Sequence, residues 1–254
     1  MKLKSTMLYI SLFASMLFAC AENTTIDPED EIAEIETDLE VEEQVPETDS
    51  LKISSIKILA LGDSYTIGQS VCQTCRYPEQ LKRQLEITFE LADSVKLQVI
   101  ARTGWTTTNL INAIKTSAPA EDHDLVTLLI GVNNQYQSRA FSIYQAEFPQ
   151  LVNTAIQKAK GDKSNIIVLS IPDYAYTPFG GGNSNISTEI DAYNAFAEDY
   201  CLENNISYAN ITDITREGLA NPALVASDGL HPSELAYSKF VDSILPIAIE
   251  KIKN

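Results

Sequence analysis

Ser64 lies in the run Leu59–Gly68, which reads L-A-L-G-D-S-Y-T-I-G. A serine hydroxyl is a weak nucleophile on its own and needs a base within reach. The chain holds two histidines, His123 and His231. His231 closes the turn Asp228-Gly229-Leu230-His231 and precedes Pro232. A carboxylate in such a turn can fold back onto the imidazole Nδ1–H, leaving Nε2 to take the serine proton. With Pro232 as a first helical residue, His231 falls near a helix N-cap. His123 precedes an apolar run, so it belongs to the opposite edge of a sheet as a solvated loop residue. Acyl transfer also needs donors aimed at the developing oxyanion. The backbone N–H of Ser64, the backbone N–H of Gly104 and the side-chain amide of Asn133 are the candidates. A glycine at 104 keeps the approach of a substrate oxygen open.

These residues need elements to bring them together. Apolar runs at 56–61, 94–101, 124–130, 165–171 and 207–211 have the length and composition of strands. Helical spacing follows from Tyr77, over 106–117, over 142–160, over 188–204 and over 233–252. Strands alternating with helices specify a parallel sheet covered on both faces. Asp63-Ser64, Gly104 and Asn133-Asn134 then fall just past C-terminal strand ends, and Asp228 with His231 in the last loop. In such sheets ligands bind along that edge. Any one of these clusters alone reads as an ordinary turn. Four of them on one edge make a site. No glycine pattern of the phosphate-cradling kind follows a strand, so no nucleotide cofactor is expected.

In chain order, Gly62-Asp63-Ser64, Gly104, Gly131-Val132-Asn133 and Asp228-Gly229-Leu230-His231 resemble the four blocks of the SGNH hydrolases, the GDSL esterase/lipase family. The likeness covers about residues 55 to 250. Asn134 stands where the family's third block usually has Asp, and Tyr65 where Leu is common. The resemblance implies an α/β, three-layer, flavodoxin-like fold with a five-stranded parallel sheet in the order 2-1-3-4-5. It implies ester hydrolysis without metal or cofactor. Ser64 is the implied nucleophile, His231 the base and Asp228 its orienter, with Ser64, Gly104 and Asn133 forming the oxyanion hole.

The N-terminus reads as an address. Lys2 and Lys4 precede an apolar segment, Met7 to Ala19, too short to span a bilayer and built like a secretory signal. Leu17-Phe18-Ala19-Cys20 resembles the bacterial lipobox, which makes Cys20 the expected lipidation site. The net charge is −17, and 13 of the 35 acidic residues fall within residues 21–50, where Lys and Arg are absent. Such a segment cannot bury enough surface to fold alone. The expected organisation is a signal peptide at 1–19, an acidic tether at 20–52 and a hydrolase domain at 53–254. The expected location is the bacterial cell envelope, with the membrane reached through the lipid anchor only. No basic stripe offers a surface for nucleic acid. The chain is expected to act as a monomer on a small-molecule or glycan ester.

Export suits a disulfide among Cys72, Cys75 and Cys201. The C-Q-T-C spacing leaves open whether the pair is local or includes Cys201. Tyr65, Trp105 and Tyr136 are the expected substrate wall. The stretch from Tyr174 to Ser187, with Tyr174, Tyr176, Phe179 and three consecutive glycines, is expected to border the site.

Overall fold

The computed structural model describes residues 53–91 and 94–253. The chain divides into Met1–Thr48 and Asp49–Asn254, and every described residue belongs to the second unit. The expected signal segment, Cys20 and the acidic stretch lie outside the described residues. Among the described residues no helix is long and apolar enough to cross a membrane.

Five parallel strands form one sheet: β1 (Ile56–Gly62), β2 (Val95–Ala101), β3 (Leu125–Leu129), β4 (Ile166–Leu169) and β5 (Ser207–Ala209). Their order is β2-β1-β3-β4-β5, as the resemblance implies. β1 and β3 are apolar almost throughout because both of their faces are covered. Leu59, Leu61, Leu125 and Leu129 are fully buried. Truncating any one of them to Ala costs about 2–5 kcal/mol. Gly62 sits level with Ala101 on one side and Leu129 on the other. The first three strands therefore end together, and the residues just beyond them are neighbours.

The helices are α1 (Ser64–Ile67), α2 (Tyr77–Thr88), α3 (Thr107–Ser117), α4 (Val132–Tyr136), α5 (Phe141–Lys158), α6 (Ser184–Glu203), α7 (Thr212–Arg216) and α8 (Glu234–Lys253). α2 packs on α8, while α5 packs on α3 and α6, giving a helical layer on each side of the sheet. The chain steps from β1 to β2 in one direction and from β2 onward in the other. Right-handed crossovers then put α2 on one face and α3, α5 and α6 on the other.

Several boundaries differ from the sequence expectation. α6 begins at Ser184, not Thr188, because the Asn183 side chain caps it by accepting from the Asn185 N–H. α4 and α7 are too short to show a period and were not anticipated. The last helix begins at Glu234, so His231 is not an N-cap residue. Instead Pro232 pairs with Val225 in an isolated antiparallel bridge, and the Ala226 N–H donates to the His231 carbonyl at 2.7 Å. His123 does lie at the opposite edge but is only 5% exposed, not solvated. Its Nδ1 meets the Lys158 carbonyl at 3.1 Å, which explains how an imidazole is accommodated there.

Candidate active site

The site starts at the close of β1. A Cβ on Gly62 would come within 2.4 Å of the Leu129 carbonyl oxygen, so only glycine lets the strand end this close to β3. Asp63 then caps α1, its Oδ1 accepting from the Tyr65 N–H at 3.0 Å. Ser64 is the first residue of α1 and is nearly buried. Among the described residues, neither Ser64 Oγ nor His231 Nε2 has a hydrogen-bond partner. Both residues line one cavity of about 190 Å³.

His231 arrives on the other side of that cavity. Its Nδ1 lies 2.7 Å from Asp228 Oδ2. Asp228 Oδ1 accepts from the backbone N–H groups of Leu230 and His231, each at 3.0 Å. The turn thus holds its own carboxylate against the ring, with Gly229 at φ +72° permitting the reversal. Burial pushes the Asp228 carboxyl up, but hydrogen bonds from the Ser70 hydroxyl and from His231 outweigh it. The group is held well below the usual carboxylate range. The Tyr65 ring stands 5.2 Å from the His231 ring and limits its swing.

Gly104 and Asn133 line the same cavity. Gly104 has φ +81°, and no protein atom lies within 4 Å of where a Cβ would stand. Backbone conformation, not crowding by the protein, is what calls for glycine here. Gly131 has φ +135° and turns the chain from β3 into α4, which carries Asn133. The Asn133 amide donates to the Trp105 carbonyl at 3.1 Å and to Asp63 Oδ2 at 3.3 Å. Both of its protons are therefore engaged, and the longer bond to Asp63 is the one more easily exchanged. Asp63 is fully buried, and that burial raises its carboxyl to about 7.

Asn134 has a different task from its neighbour. Its Oδ1 accepts from the Thr107 N–H at 2.9 Å, and its Nδ2 donates to Thr107 Oγ1 at 2.7 Å. Thr107 Oγ1 in turn donates to Glu147 on α5. An Asp at 134 could not donate to that hydroxyl, so the amide suits this particular chain of bonds.

The expected wall is partly rearranged. Tyr65 and Tyr136 line the cavity, Tyr65 buried and Tyr136 54% exposed. Trp105 does not line it; its ring packs against the core, and only its carbonyl takes part, through Asn133. Tyr174 and Phe179 complete the wall. Their rings stand 5.9 and 6.0 Å from Tyr136. The Phe179 N–H donates to the Gly229 carbonyl at 2.9 Å, which ties this wall to the Asp228 turn. The cysteine alternatives resolve to a Cys72–Cys75 disulfide, with Cys201 free and buried. Burial pushes the Cys201 thiol up to about 12.

Fold and site together define an SGNH-type ester hydrolase. Residues 60–239 match the GDSL-like Lipase/Acylhydrolase family, and the chain belongs to it. It is a carboxylic ester hydrolase. Solved structures repeat the architecture. The acetylxylan esterase Axe2 from Geobacillus stearothermophilus is 21% identical, with a TM-score of 0.56 over 80% of this chain and 96% of that one. The lipase/acylhydrolase from Enterococcus faecalis is 19% identical, with a TM-score of 0.57 over 77% and 95%. The lipase Lip_vut3 from a goat rumen metagenome is 18% identical, with a TM-score of 0.61 over 76% and 97%. No curated protein matches the sequence significantly.

Proposed function

We propose that the protein hydrolyses short acyl esters, acetylated carbohydrate foremost, through a Ser64–His231–Asp228 triad and an acyl-enzyme. One observation carries the reading: Ser64 and a His231 already bonded to Asp228 share one cavity, with Ser64 Oγ and His231 Nε2 unengaged among the described residues. Catalytic hydrogen bonds in free enzymes are often long and tighten when substrate binds.

Ser64 Oγ attacks the ester carbonyl while His231 Nε2 takes its proton. The carbonyl oxygen becomes an oxyanion held by the N–H groups of Ser64 and Gly104 and by the Asn133 amide. Collapse breaks the bond to the leaving alcohol, which takes its proton from His231. Water then attacks the acyl-serine, giving its proton to His231, and the acid leaves as Ser64 regains a proton. Asp228 stays ionised throughout and stabilises the imidazolium.

The cavity favours a small acyl group. At about 190 Å³ it falls below the ~300–1,000 Å³ of sites that enclose drug-sized ligands. A leaving group would therefore extend outside it, across Tyr136 and Phe179, each 54% exposed. Flat exposed rings suit a sugar face better than a flexible chain, since stacking needs a rigid partner. The acetylxylan esterase among the structural neighbours is in keeping with this choice. Anchoring through Cys20 would hold the enzyme at the bacterial envelope, where acetylated glycans are accessible.

A fluorophosphonate probe tests the chemistry. Wild type is expected to be labelled and Ser64→Ala not; equal labelling of both sinks the triad. A panel of acetylated sugars against nitrophenyl esters of rising chain length tests the substrate. Rates that grow with chain length overturn the short-acyl assignment.

A further inference from the structure

Two residues outside the four family blocks touch two of them. The chain leaves α1 through Gly68, and the N–H groups of Gly68 and Gln69 both donate to the Ser64 carbonyl, at 3.1 and 3.0 Å. Gln69 Oε1 then accepts from Thr103 Oγ1 at 2.6 Å, one residue before Gly104. Ser70 Oγ donates to Asp228 Oδ2 at 2.6 Å, the same oxygen that meets His231 Nδ1. Ser70 does this from φ +68°, a left-handed conformation in which a serine is strained and a glycine is not. Beyond it the Cys72–Cys75 disulfide closes the next turn, and the Arg76 guanidinium donates to the Ile67 carbonyl at 3.4 Å. The segment is thus pinned on both sides.

We infer that Ser70 is a positioning residue for the Asp228–His231 pair, with Gln69 steadying the Gly104 loop, so that the stretch after the nucleophile's own turn sets the spacing of nucleophile, base and oxyanion donor. The inference rests on the triad reading above. Asp228 Oδ1 is filled by two backbone N–H groups, so the carboxylate's remaining alignment depends on Oδ2. There the Ser70 hydroxyl fixes the direction from which His231 Nδ1 can bond. It also draws charge from Oδ2, so the carboxylate holds the imidazolium less tightly than a bare one would. The other titratable groups around His231 are the Tyr65 phenol from α1, and Asp173 and Tyr174 from the segment after β4, which share a small void with the ring. None of these is altered by a change at position 70.

The test compares Ser70→Ala and Ser70→Gly in the full chain, with nitrophenyl acetate as substrate. Both variants lose the hydroxyl, and the glycine also releases the backbone strain, so a folding defect cannot mimic the result in both. Expected in each is a fall in kcat of about tenfold, with KM within about twofold. The acid limb of the kcat/KM profile is expected to move to higher pH, because an unshared Asp228 favours the protonated ring. The Ser70→Gly variant is expected to melt above Ser70→Ala, because only the glycine is relieved of the left-handed strain. Wild-type kcat and an unmoved acid limb in either variant overturn the assignment of Ser70 while leaving the triad standing. Failure of wild type to react with a fluorophosphonate at Ser64 overturns both.

Discussion

The two edges of the sheet carry similar residue types and use them differently. Beside the N-terminal ends of β1 and β2 lies a cavity of about 270 Å³, lined by Lys57, Lys96, Asp122 and His123 among others. It is larger than the cavity holding Ser64 and His231. Among its lining groups, Lys57, Asp122 and His123 already have partners. The Lys57 ammonium pairs with Asp122. His123 is fastened to Lys158. At the C-terminal edge, Asp228 and Asn133 are just as fully bonded, but Ser64 Oγ and His231 Nε2 are left over among the described residues. What sets the C-terminal edge apart is a hydroxyl and an already oriented imidazole on one cavity, and cavity volume alone does not find it.

The largest expected effect breaks the symmetry between the two histidines. His231→Ala removes the proposed base and should lower kcat by about four to six orders of magnitude, as loss of a triad member does elsewhere. His123→Ala should lower the melting temperature, because it opens a buried space beside Lys158, and leave kcat within about twofold. Steady-state kinetics and thermal melts on both variants check the pair. Comparable kinetic losses in the two would erase the distinction between the edges.

Next in size is Asn133→Ala. Loss of its proposed oxyanion contact is expected to lower kcat about 10²–10³-fold with KM little changed. A fall confined to stability would mean that the bonds to Trp105 and Asp63 are the whole role of Asn133.

The smallest effect is in the pH dependence of stability, and here the edges have opposite signs. Burial raises Asp63 from an ordinary 3.8 to about 7, so the folded protein keeps a proton that the unfolded chain releases. Its contribution to stability is fully present below about 3.8 and is lost as pH rises through about 7. Asp122, bonded to Lys57, is lowered instead, so its contribution is present above its ordinary value and lost in acid. The melting temperature is therefore expected to fall between about pH 4 and 7, with a shallower fall in Asp63→Asn. An identical slope in the variant would remove Asp63 as the cause.

Much of this edge was legible before any coordinates. Asp228 and His231 are three residues apart in one turn, so their bond is a local event that spacing alone can announce. Ser64 and Gly104 follow strands whose apolar runs end in recognisable turn residues. The Gln69–Thr103 and Ser70–Asp228 bonds were not legible. They join residues 34 and 158 positions apart through side chains with no motif around them. Trp105 and Phe179 were likewise indistinguishable as wall or core, since an aromatic residue in a loop carries no sign of which way it faces.

Strand–helix alternation, the edge where the candidate residues gather and the nucleophile, base and orienter candidates were all readable in the sequence. Those properties depend on composition and short spacing, which the chain carries in one dimension. Long-range packing settled the rest. It paired Cys72 with Cys75 and buried Cys201 and His123. It engaged both protons of the Asn133 amide, turned Trp105 away from the cavity and set Ser70 against Asp228. The physical reason is register: Gly62, Ala101 and Leu129 end level. Only that alignment of three strands fixes which loop side chains come within hydrogen-bonding distance of one another.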